Sequence, residues 1–182
     1  MRVPDLSRFD LMLGWRTLGI VTTDLEQKLR CFDGVVAMEL SGVLINAWGK
    51  GATQPRWNWW LAQLEAALER QPKELIVFSA LQIVDGHQAP NIRAQAKREI
   101  ERLSPSIKQF VIYPCGDGVW ATLARSVIRT MFMMSPKTRQ FRLVASEPDA
   151  VQALYHPGGP SQEQLHTAIR LVMRTVESHA AA

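Results

Sequence analysis

Between Leu25 and Phe32 the apolar residues Leu25, Leu29 and Cys31 alternate loosely with Glu26, Lys28 and Arg30, and Asp33-Gly34 then leads into the apolar run Val35–Leu40. Asp-Gly between two such runs signals a hairpin, because its tight turn needs positive φ that glycine supplies without strain. A loop containing Gly42, Gly49 and Gly51 follows. Pro55 then opens a helix whose apolar residues Trp57, Trp60, Leu61, Leu64 and Leu68 share one face, spaced to pack on a sheet. Pro72 stops this helix, and the unbroken apolar run after Glu74, Leu75-Ile76-Val77-Phe78, reads as a central strand covered on both sides.

The second half of the chain continues the alternation. A second helix begins near Pro90, turns Ile92, Ala96, Ile100 and Leu103 inward, and ends before Pro105; Phe110-Val111-Ile112-Tyr113 is the next buried strand. Asp117 is placed to cap a third helix from Gly118 to Met134, ended by Ser135-Pro136, before a last strand Phe141–Ala145. Ser146 with Asp149 starts a short fourth helix through Leu154. After the linker His156-Pro157-Gly158-Gly159-Pro160, Ser161 and Gln164 have the spacing of a capping box for a final helix bearing Leu165, Ile169, Val172 and Val176. The pattern predicts an α/β domain over residues 25–155, an N-terminal extension 1–24 in which Leu6, Phe9 and Leu13 share a helical face, a linker 156–160, and a C-terminal helix and tail 161–182 as a second appendage.

Composition narrows the class. The 182 residues suffice for one hydrophobic core and are few for two, and 47% hydrophobic with 21% charged residues is an ordinary globular balance. The net charge is +4, and the densest basic stretch, Arg93, Lys97, Arg98 and Arg102, is interrupted by Glu99 and Glu101, as on a solvated helix face. Nucleic acid is therefore not an expected partner. Cys31 and Cys115 form no CxxC pair, so neither a disulfide framework nor a cysteine metal site is expected. The N-terminus does not read as a secretion signal, and no stretch reaches the roughly 20 apolar residues of a membrane span. A cytoplasmic protein is expected.

The order of elements and the stretch Leu75-Ile76-Val77-Phe78-Ser79-Ala80-Leu81-Gln82-Ile83-Val84-Asp85-Gly86-His87 together resemble the STAS domain, the fold of bacterial anti-sigma-factor antagonists and of the cytoplasmic tails of sulfate transporters. Ser79 matches the first serine of the family pattern and Asp85 its aspartate, at the family's spacing; Phe141 to Leu154 resembles the family's last strand and short helix. The resemblance implies a mixed central sheet with an N-terminal hairpin and alternating helices. It also implies a partner-binding surface at the loop, carried by Ser79, Asp85, Gly86, His87 and Asn91. In phosphoswitched antagonists a serine directly after the aspartate is phosphorylated by the cognate anti-sigma kinase, which adds about two negative charges and releases the partner. Gly86 and His87 occupy those positions here, so that chemistry does not transfer.

The remaining candidates give no catalytic set. Asp85 and His87 have a spacing that could orient an imidazole for acid/base work, but a nucleophile would still be needed; Ser79, upstream, is read as capping a turn or satisfying a backbone group, and Asp85 as shaping the loop. The stretch Pro114-Cys115-Gly116-Asp117-Gly118 lacks the glycine pattern of a dinucleotide or P-loop site, and Cys115 has no cationic neighbour in sequence to activate it. No enzyme activity, cofactor or metal is expected. The third helix is apolar over much of its circumference, and Trp120, Phe132, Met133 and Met134, with Trp59 off the inward face of its own helix, are candidates for an apolar partner surface. The expected function is a non-enzymatic regulatory or protein-binding module of a bacterial signalling pathway, with a protein or a second copy of the chain as partner. The alternative is a small-molecule or lipid sensor or carrier with an apolar site by the third helix.

Overall fold

The computed structural model describes residues 24–49, 51–82, 90–116 and 140–180, without the side chains of residues 90–93 and 180. The chain is mixed α/β. Six strands, β1 (Arg30–Phe32), β2 (Val35–Leu40), β3 (Val43–Trp48), β4 (Leu75–Gln82), β5 (Ile107–Cys115) and β6 (Phe141–Leu143), lie side by side in chain order. The first three pair antiparallel, and β3 to β6 run parallel.

Two turns set the antiparallel half. Asp33 and Gly34 have φ of 41° and 77°, and Ser41 and Gly42 have 44° and 82°. Positive φ at both central residues is the two-residue turn whose twist suits a hairpin. The first turn is where the sequence places it, but its leading arm is only Arg30–Phe32, because residues 24–28 are helical. That helix puts Leu25 in the core, 3% exposed, and places Lys28 beside Asp24 at 2.8 Å. The second turn opens a strand where a glycine-containing loop was expected. β3 is buried at all six positions and is the strand on which the antiparallel and parallel halves meet.

Helix α1 (Gln54–Arg70) follows β3, and α2 (Pro90–Leu103) follows β4. Both cover one face of the sheet. There Trp57, Trp60, Leu64 and Ala67 of α1 and Leu103 of α2 join Leu44, Val77 and Phe110, while Leu61, Leu68, Ala96 and Ile100 pack at the margin. The expected inward residues of α1 are thus split, because the continuous inner stripe runs 57, 60, 64, 67 and leaves Leu61 and Leu68 on its flank. β3–α1–β4 and β4–α2–β5 are thus strand–helix–strand units whose helices lie on the same side of the sheet.

The opposite face is covered by α3 (Glu147–Leu154) and α4 (Gln162–Ala180). Leu165, Ala168, Ile169, Val172 and Val176 are all 0% exposed and share a core with Val36, Met38, Val43, Ile45 and Phe78. The closing helix is therefore a layer of the fold and no appendage: without it the apolar face of β2 and β3 would lie open to water. Burying each of its larger aliphatic side chains stabilises by roughly 2 kcal/mol. Both caps form as their spacing requires. Ser146 Oγ accepts from the Asp149 backbone N–H, while Ser161 and Gln164 bond reciprocally, Ser161 N–H to Gln164 Oε1 at 2.9 Å and Gln164 N–H to Ser161 Oγ at 3.2 Å. β6 is shorter than its apolar run, ending at Leu143, although the Val144 N–H still donates to Ile112 O at 3.0 Å.

Candidate functional site at the carboxyl edge of the sheet

Loops leaving the carboxyl ends of parallel strands are where open α/β sheets place ligands and partners. Here the six described strands follow one another in chain order without reversal. The edge is built by β3, β4 and β5 with the start of α1. Along β3, alternation puts Leu44, Asn46 and Trp48 toward α1, and Asn46 pairs in register with Ser79 of β4.

Asn46 is 0% exposed, and both ends of its amide are used. Nδ2 donates to the Phe78 carbonyl oxygen at 2.6 Å, and Oδ1 accepts from the Trp48 indole N–H at 2.9 Å. A buried amide without partners would cost several kcal/mol, so this bonding is what allows a polar residue inside an apolar strand. It also fixes the Trp48 ring, which packs 6.3 Å from Trp57 and 6.0 Å from Trp60, themselves 4.9 Å apart. The result is an aromatic wall behind the edge. In front of it, Gln54 Nε2 donates to Gln95 Oε1 at 2.8 Å and ties the first turn of α1 to α2.

Ser79, expected among the contacts of the partner-binding loop, lies instead within β4, 7% exposed and three residues before that strand ends at Gln82, because strands on both sides pair with it. Asp85, Gly86 and His87 lie outside the described residues, as do Trp120, Phe132, Met133 and Met134 and the expected helix Gly118–Met134. Asn91 is in the first turn of α2, with its side chain undescribed. Trp59 is half-buried and stacks on Phe32 with ring centroids 5.9 Å apart and 16° between planes, so it is partly covered by the edge strand β1. The structure does not bring Trp59 and Ser79 together, since one packs beside β1 and the other lies within β4.

Sequence reasoning missed Asn46 and Trp48. Their signal was a lone amide inside the run Val43-Leu44-Ile45-Asn46-Ala47-Trp48, a polar residue that a buried strand tolerates only when bonded. Cys115 ends β5 with Sγ 3.6 Å from the Tyr113 carbonyl oxygen, and burial, reinforced by Glu177, pushes its thiol up to about 12. It stays a thiol at neutral pH and is a poor nucleophile.

Among the described residues, open surface depressions lie away from this wall. One of about 520 Å³ lies between α3 and α4, where Glu147 pairs with His166 at 3.0 Å and Arg170 at 2.8 Å. Another, of about 340 Å³, lies between α1 and β2 and is bordered by Lys28, Arg30, Glu39 and Arg70. Among the described residues no three His, Cys, Asp or Glu side chains cluster to hold a metal, and no helix is long and apolar enough to cross a membrane. Compared with family models, with curated proteins and with solved structures, the chain matches none.

Proposed function

We propose that this chain is a non-enzymatic, STAS-like protein-binding module of a bacterial signalling pathway, contacting its partner through the loop that follows β4. The reading is carried by the position of Ser79. It sits on the buried strand β4, near the carboxyl end, and Asp85, Gly86 and His87 follow that end in the sequence; the carboxyl ends of parallel strands are where α/β sheets present binding residues. The order of elements, antiparallel strands followed by strands alternating with helices, is in keeping with it. Gly86 and His87 stand where a phosphoacceptor serine would be needed, so the proposed contact is not regulated by phosphorylation there.

The test is affinity purification of the full chain with quantitative mass spectrometry, set against a chain carrying Asp85→Ala and His87→Ala. The expected result is a discrete partner recovered with the first and lost with the second, while circular dichroism and the urea midpoint are unchanged. Equal recovery by both chains would show that the loop is not the binding surface.

A further inference from the structure

We draw no further inference here: the strongest candidate, the pair of buried indole N–H groups of Trp57 and Trp60 in the aromatic wall beside the start of α1, carries nothing, because neither surface depression reaches those nitrogens and nothing in the structure shows what would accept from them.

Discussion

Replacing Asn46 by alanine removes one side chain and disturbs two others. The Trp48 indole loses its acceptor inside the core, and the Phe78 carbonyl loses a donor 2.6 Å away. A buried donor left unpaired costs about 1–3 kcal/mol, and the lost bond to the carbonyl about 0.5–1.5 kcal/mol. The expected destabilisation is therefore roughly 2–4 kcal/mol, a large fraction of the ~5–15 kcal/mol that holds a domain folded. Urea unfolding followed by far-UV circular dichroism measures it, with the midpoint falling and the slope unchanged. Trp48→Phe supplies the cross-check: once the indole N–H is gone, Asn46→Ala costs less, and the coupling in the double-mutant cycle reports the Asn46–Trp48 bond alone. Asn46→Asp adds a pH signature. A buried carboxyl has its pKa raised, and only its neutral form can both donate to the Phe78 oxygen and accept from Trp48. With the folded pKa above the unfolded one, this variant keeps its stability below about pH 4 and loses it as pH rises through the folded pKa. An Asn46→Ala stability within about 0.5 kcal/mol of the parent, the range of ordinary surface changes, would mean that the Trp48 and Phe78 groups are not left unpaired in the core.

Arg56 joins three segments: Nε donates to Asp33 O at 2.7 Å, Nη1 to Gly51 O at 2.7 Å, and Nη2 lies 3.0 Å from Asp33 Oδ2. Arg56→Lys keeps the charge but loses the fork, and is expected to lower stability by about 1–2 kcal/mol in the same unfolding assay, largely independent of salt because the bonds lost are those to the Asp33 and Gly51 carbonyls while the charge is retained. At Gly159 a Cβ would overlap the His156 ring, whose Nδ1 donates to the Leu154 carbonyl at 3.0 Å. Gly159→Ala should cost about 1–3 kcal/mol, and His156→Ala in the same chain should recover part of that loss; a free-standing cost in the double variant would place the strain elsewhere. Iodoacetamide at neutral pH should alkylate exposed Cys31 in the native protein, slowly because partial burial raises its pKa, and Cys115 only after denaturation, as read by intact-mass spectrometry.

The readable parts of this sequence were those where local chemistry and tertiary packing agree. The run Leu75 to Phe78 has no helical alternative that hides a continuous apolar surface, and it became the buried start of β4. Ser161 and Gln164 satisfy each other's backbone N–H, so their spacing alone located the start of α4. Two failures had opposite causes. Residues 24–28 follow a loose alternation that fits a strand, yet Leu25 and Leu29, four apart, also share a helical side, and Leu25 reaches the core that way. β3 was hidden by its own punctuation: Ser41-Gly42 is a hairpin turn, but with Gly49 and Gly51 nearby the stretch resembled a glycine-rich loop. The role of α4 could not be read locally, since an amphipathic stripe states only that a face is covered. That β2 and β3 lie beneath it depends on the sheet order.

That order bears on where a partner can act. With α1 and α2 on one face of the sheet and α3 and α4 on the other, the described strands expose little of their apolar surface through either face. Among the described residues, the edge strand β1 has all three residues exposed, and the carboxyl ends of β4 and β5 are where the described strands stop, at Gln82 and Cys115. An edge of three residues offers few backbone groups and is already paired on its inner side with β2, so it is a short platform for strand addition. The carboxyl end of β3 is backed by the aromatic wall, Asn46 with three tryptophans held in contact. If the loop binds a partner, loosening that wall should weaken binding without touching the loop. Trp48→Phe, which keeps the ring and removes only the N–H anchored by Asn46, should reduce the affinity of the partner identified by affinity purification about two- to tenfold, equivalent to roughly 0.4–1.4 kcal/mol. Isothermal titration calorimetry on the two chains would decide it; unchanged affinity would mean that the wall supports the fold alone.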